Sequence, residues 1–324
     1  MSFISGNGAT LELFEKAKKE GKVSHAYIIE GPDGSGKGTL ARAISAILVC
    51  EEASACYSCS QCKKVISGVH QDVRELSRKE GSLSIGIDEI SEIIRDAYIK
   101  PAEASCKIFI IKDSQTLTPA SQNALLQIFE EPPRNVVFLL LTTNRNLLLP
   151  TLKSRGVVLK TEKFSDTFIK KELSDAFPQD LSLIDEATLV ADGALGLGIE
   201  FLSNNSLKNS ICIVKKYFEA VASGASFADL SLIFNLSVVK EKESIPSLLG
   251  YFSLSLRDVL MYQAGYEGRA MILSSDALRK ELATRLSREQ IFSACDVIRL
   301  AITDYASANP TVTLSSVNLA LSKV

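Results

Sequence analysis

Two uninterrupted apolar runs, Lys107-Ile-Phe-Ile-Ile111 and Val136-Val-Phe-Leu-Leu-Leu141, dominate the first half of the chain. Runs of this length without polar alternation predict strands covered on both faces, as in the middle of a parallel sheet. The short apolar segment Ala26-Tyr-Ile-Ile29 predicts another strand, and Val73 to Leu76 reads as a further one. Between them the period changes to 3.6. Leu40 to Val49 carries Leu40, Ala43, Ile44 and Ile47 on one stripe, and Ile87 to Ile99 carries Ile90, Ile93, Ile94 and Ala97. Ser121 to Phe129 reads as a helix stopped by Pro132-Pro133. Strand and helix alternate, so this half predicts a doubly wound α/β domain.

From about Phe164 the pattern is helical throughout. Gly193, Gly196 and Gly198 are expected to break a short helical block, and Asn204-Asn205 reads as a joint. Further breaks are expected near Gly224, Ser244-Ile-Pro246, Gly265 to Gly268 and Asn309-Pro310. The organisation predicted is an α/β domain over 1–163, a small helical lid over 164–205 and an all-α domain over 206–324.

Composition narrows the function classes. With 324 residues and 46% hydrophobic content the chain can build more than one core. A net charge of −2 argues against a chain that binds nucleic acid tightly by itself. No apolar run reaches the roughly 18 residues needed to span a bilayer. The start, Met1-Ser-Phe-Ile-Ser-Gly-Asn, lacks the basic and apolar pattern of a signal peptide, so a cytoplasmic protein with no membrane contact is expected.

Two features carry chemistry. Gly31-Pro-Asp-Gly34-Ser-Gly36-Lys37-Gly38-Thr39 follows the first strand and opens a helix, the context of a phosphate loop. Its backbone N–H groups would wrap phosphate oxygens while Lys37 supplies charge. The hydroxyl that holds magnesium normally follows the lysine; here that position is Gly38 and the hydroxyl comes at Thr39. A hydrolysing site also needs an acidic pair after a later strand. After Ile111 the chain reads Lys112-Asp113, so hydrolysis at its own site is not expected, and nucleotide binding there stays open. The second feature is Cys50, Cys56, Cys59 and Cys62, four soft ligands within thirteen residues, the number and type for a closed, structural zinc site. His70 is expected in a connecting loop rather than as a ligand, and Cys106, Cys212 and Cys295 as packing residues.

The segment His25-Ala-Tyr-Ile-Ile-Glu-Gly31, the phosphate loop, the four cysteines, Asn123 to Pro133 and Leu149-Pro-Thr-Leu-Lys-Ser154-Arg155 together resemble the bacterial DNA polymerase III clamp-loader subunits, a family of AAA+ proteins. The resemblance spans roughly the first 200 residues. It implies an AAA+ phosphate-loop domain carrying a zinc module at 50–62, then a helical lid and a helical collar. It also implies that Arg155 is an arginine finger acting on a neighbour's ATP, although Gly156 replaces the usual cysteine after it. Asn144 takes the position that senses the γ-phosphate. Lys112-Asp113 in place of the acidic pair, Gly196 in place of the sensing arginine, and no long carboxy-terminal extension align the chain with the delta-prime branch rather than the gamma/tau motor. More weakly, Ser253 to Leu260 and Asn309-Pro310 also resemble delta-prime collar segments. The implied partners are gamma/tau and delta subunits in a hetero-oligomeric ring, with the sliding clamp and primed DNA reached through it. The implied metal is structural Zn2+. The alternatives are the gamma/tau motor itself and an adenylate-kinase-like enzyme, which shares Gly-Ser-Gly-Lys37-Gly-Thr39. Such a kinase would place its lid later and has no room for a helical last third.

Overall fold

The computed structural model describes residues 7–52, 54–79, 82–238, 245–266, 270–303, 315–316 and 319–320. The chain divides into two compact units: Met1–Phe168 with Gly193–Gly196, and Ile169–Asp192 with Leu197–Val324. Residues of the expected lid are thus shared between the two.

The first unit is built on a five-stranded, all-parallel sheet in the order β2-β3-β4-β1-β5. Its strands are β1 (Ala26–Glu30), β2 (Val73–Leu76), β3 (Lys107–Ile111), β4 (Val136–Thr142) and β5 (Val157–Lys160). The helices are α1 (Gly8–Lys19), α2 (Lys37–Val49), α3 (Ser60–Ile66), α4 (Ile87–Ala97), α5 (Pro119–Glu130) and α6 (Pro150–Arg155). The two apolar runs became the central strands β3 and β4, buried at every position. Side chains alternate across the sheet, so each strand feeds two cores. Tyr27 and Ile29 of β1 join Phe14, Ile44, Ile47 and Cys62 on one face. Ala26 and Ile28 join Ile90, Ile93, Leu125 and Leu152 on the other.

The second unit is helical among its described residues. It comprises most of α7 (Asp166–Ala176) and of α9 (Leu195–Ser203), together with α8 (Ile184–Ala191), α10 (Asn205–Ala222), α11 (Phe227–Val238), α12 (Ile245–Gln263), α13 (Asp276–Arg285) and α14 (Arg288–Thr303). Tyr217, Phe218 and Phe252 form its aromatic centre, with ring centroids 5.0 to 5.7 Å apart. The buried Asp258 carboxylate accepts hydrogen bonds from the backbone of Met271, Ile272 and Leu273 at 2.8 to 3.0 Å.

Several expectations need correction. Gly196 and Gly198 do not break a helix; both lie inside α9, and only Gly193 (φ 86°) occupies a break. Cys212 is exposed, not packed. The breaks at Gly224 and Gly265 occur as left-handed glycines, and Asn204 separates α9 from α10. Ser244, Gly268 and Asn309-Pro310 lie outside the described residues. Among the described residues no helix is long and apolar enough to cross a membrane.

Candidate functional site

The end of β1 leads straight into the phosphate loop, and α2 begins at Lys37. Gly34 (φ 70°) and Gly36 (φ 82°) adopt left-handed conformations that only glycine takes readily, which is what turns the chain from strand to helix in so few residues. The Lys37 ammonium donates to the carbonyls of Gly31 and Pro32, both at 2.9 Å, and sits 3.5 Å from Asp33. Burial pulls its pKa below the ordinary lysine value, with Asp33 opposing. Thr39 is exposed in the first turn of α2, one position on from Gly38.

The loop is closely covered. Thr161 Oγ1 bonds Ser35 Oγ at 3.0 Å and stands where a Cβ on Gly31 would be. The Gly196 N–H donates to the Gly34 carbonyl at 2.9 Å, and a Cβ on Gly196 would lie 2.7 to 3.1 Å from Gly34 backbone atoms. Gly196 thus lets main chain meet main chain over the loop.

Beyond β3, Asp113 (φ 50°) is left-handed and lies 3.9 Å from Arg78. Lys112 is engaged elsewhere. Its ammonium is 2.7 Å from Glu75 at the end of neighbouring β2, and Arg42 of α2 holds the same carboxylate through two bonds of 2.6 and 2.9 Å. Arg42 foremost, and Lys112 with it, draw the Glu75 carboxyl down to about 2. Lys112 is thus one of three members of a built ion-pair cluster with Arg42 and Glu75, a role for Glu75 that its sequence position did not signal. Asn144 follows β4, but its side-chain oxygen accepts from the Asn146 N–H at 3.0 Å and caps a short helical turn.

At the far end of α2 the four cysteine sulfurs lie within 4.8 Å of one another. Cys50 follows the last turn of α2 and Cys62 lies in the first turns of α3, both buried, while Cys56 and Cys59 sit on the turn between. The Cys50 and Cys56 sulfurs are 3.7 Å apart. Tetrahedral zinc with Zn–S near 2.3 Å requires sulfur edges of about 3.8 Å. The Cys59 N–H points at the Cys56 sulfur at 3.3 Å, and the Cys62 N–H at the Cys59 sulfur at 3.4 Å. Tyr57, bulky yet left-handed at φ 54°, shows how tightly the turn is drawn. The Ser58 hydroxyl, then the N–H groups of Cys59 and Ser58, lower the Cys56 thiol to about 6. Burial pushes Cys62 up instead. A central cation removes that conflict, so the residues fit a four-thiolate metal site. His70 is not a ligand: its ring bonds Gln61 at 2.6 Å and accepts from the Asp72 N–H at 3.0 Å. Asp72 in turn accepts from the backbone of Ala102, Glu103 and Ala104 at 2.7 to 2.8 Å, fastening the loop before β3 to the knuckle.

Arg155 closes α6. Its guanidinium donates to Glu130 at 2.9 Å and to the Thr151 carbonyl at 3.2 Å. Val157, two residues on, pairs with Tyr27, so Arg155 lies at the end of the sheet where strands begin. Gly31 follows the opposite end of β1. Four residues of strand, roughly 13 Å at 3.3 Å each, separate the two levels.

A parallel sheet ordered 2-3-4-1-5, with a phosphate loop after β1 and a helical second unit, defines an AAA+ protein. Residues 6–165 match the sequence model of the family described as DNA polymerase III, delta subunit. The chain is 27% identical to the delta' subunit of Escherichia coli K12, with 90% of this chain and 91% of that protein aligned. It is 24% identical to the tau subunit of Bacillus subtilis 168 over 91% of this chain and 56% of that one, and 31% identical to a Buchnera aphidicola gamma subunit over 54% and 49%. The chain thus spans about half the length of the gamma and tau relatives. The crystal structure of a gamma subunit-related protein from Thermotoga maritima shares the fold, with a TM-score of 0.50 at 19% identity, covering 96% of this chain and 98% of that one. The chain is thus similar to the DNA polymerase III clamp-loader subunits.

Proposed function

We propose that the chain is the delta-prime subunit of a clamp loader, a stator that holds a ring of gamma/tau and delta subunits and lends Arg155 to a neighbour's ATP while the sliding clamp is loaded on primed DNA in the cytoplasm. The observation that carries this reading is the placement of Arg155 at the strand-start end of the sheet, away from its own loop and held by Glu130. Its distance from the chain's own loop supports action on a site outside this chain. Its five N–H groups form a fork that suits phosphate oxygens, and two bonds hold it without consuming them all.

The chain's own site supports a non-motor role. Gly38, the Lys112–Glu75 pairing and the Gly196 contact each depart from what magnesium-dependent hydrolysis requires. Lys37 and the loop N–H groups would hold phosphates if nucleotide binds. Zinc in the four-cysteine site supplies a cross-link between α2 and α3 and no open position for substrate.

The test is a complex reconstituted with Arg155→Ala. The variant should assemble normally, while the site it serves loses about 10³-fold in hydrolysis, so that DNA- and clamp-stimulated ATPase falls by that site's share. Arg155→Lys should restore little. Wild-type rates with the alanine variant would overturn the reading. The intact glycine geometry of the loop favours one other reading, a gamma/tau motor, which predicts ATP turnover by this chain alone.

A further inference from the structure

The C-terminus of α2 is capped from outside its own helix. Lys18, half-buried in the last turn of α1, donates from its ammonium to the carbonyls of Ile47 (2.7 Å), Cys50 and Glu52 (2.6 Å). All three N–H donors are thereby used, and among the described residues all its acceptors are main-chain carbonyls. Two are orphan carbonyls of the final turn, where cations are favoured by the helix dipole. The third, from Glu52, belongs to the segment that leaves the helix toward Cys56. At Cys50 the backbone changes from helical to extended (φ −61°, ψ 139°), so the ammonium gathers the carbonyls on both sides of the turn that aims the Cys50 sulfur.

We propose that Lys18 is a positioning residue of the metal knuckle, fixing the Cys50 turn and placing a positive charge beside the ligand set. The inference rests on the four-cysteine metal reading. The charge matters because four thiolates around one divalent cation remain doubly anionic, and Cys50 and Cys62 are buried at 3% and 0% exposure. The N–H groups of Cys59 and Cys62 answer part of that charge on the α3 side. On the α2 side, the ammonium on the Cys50 carbonyl answers it. Outer contacts of this kind govern how tightly a preformed ligand set holds its ion. Nothing in the spacing of the cysteines points to a lysine more than thirty residues upstream.

Purified full-length chain carrying Lys18→Met is titrated with Zn2+ against a chromophoric chelator, and the same chain is loaded with Co2+ for absorption spectroscopy. The expected result is a 10- to 100-fold loss of Zn2+ affinity, with the Co2+ spectrum still that of tetrahedral thiolate because the ligands are unchanged. Lys18→Gln, which donates hydrogen bonds without charge, should fall between, and it carries the test if the methionine variant does not fold. Lys19→Met, an exposed neighbour with the same loss of charge, should match wild type. Wild-type affinity in Lys18→Met and Lys18→Gln would overturn the role of Lys18 alone. A wild-type chain that takes up no zinc would overturn the metal reading beneath it.

Discussion

Replacing a helical glycine with alanine normally stabilises a protein by ~0.8–1 kcal/mol, because alanine has less freedom to lose. Two of the helical glycines, Gly250 and Gly196, should respond with opposite signs. A Cβ at Gly250, inside α12, meets nothing within 4 Å. One at Gly196 would lie 2.7 Å from the Gly34 oxygen and 2.8 Å from its Cα, both backbone atoms that cannot rotate away. Overpacking of this kind costs ~1–3 kcal/mol. Relieving it by separating the chains also gives up the Gly196–Gly34 hydrogen bond, about 1 kcal/mol more. After the helical gain is subtracted, Gly196→Ala should destabilise by ~1–3 kcal/mol, whereas Gly250→Ala should gain up to ~1 kcal/mol. For units of this size each kcal/mol moves a melting midpoint by roughly 2–4 °C. The assay is thermal unfolding by circular dichroism of wild type and both variants at one concentration and scan rate. A Gly196→Ala midpoint at or above wild type would refute the close main-chain contact over the phosphate loop.

Metal analysis of purified chain should give about one zinc per molecule, and removing it with a strong chelator should lower the melting temperature, since α2 and α3 lose their cross-link; a metal-free chain with unchanged melting would count against the site. The Glu75 carboxyl, held at about 2 in the fold, lies below its unfolded value of about 4.3. Its contribution is therefore complete above about pH 5 and is lost as pH falls toward 2. The stability gap between wild type and Glu75→Gln should shrink over that window, and a gap independent of pH would show that the Arg42–Glu75–Lys112 cluster contributes nothing through charge.

What the sequence disclosed follows from where information is local. β3 was legible to the residue, and β4 nearly so, because unbroken apolar runs have no other stable fate in a sheet covered on both faces. β5 was not, since a four-residue edge strand with both ends exposed carries little pattern. α1 was missed for a similar reason: Phe14 is its one fully buried side chain, and the rest is a charged surface. The four cysteines and the phosphate loop were readable because their ligands and amides are close in sequence. The partners that give other residues their meaning were not. Glu75 for Lys112, Glu130 for Arg155, Gly34 for Gly196 and Lys18 for Cys50 each come from an element distant in sequence. Lys112 by itself does not announce Glu75, because that partner sits on another strand.

The separation of Arg155 from the phosphate loop along the strands also bears on how such a chain can change over time. Drift at Gly38, Lys112 or Gly196 alters one rim of the sheet. The opposite rim, where Glu130 and Thr151 hold the guanidinium, lies across the apolar interior of the sheet. Substitutions at the two rims share no side chain, and effects of distant, unconnected sites add independently. Selection can therefore relax on one rim while it persists on the other, and a lineage can retire its own nucleotide chemistry without redesigning the surface it offers to others.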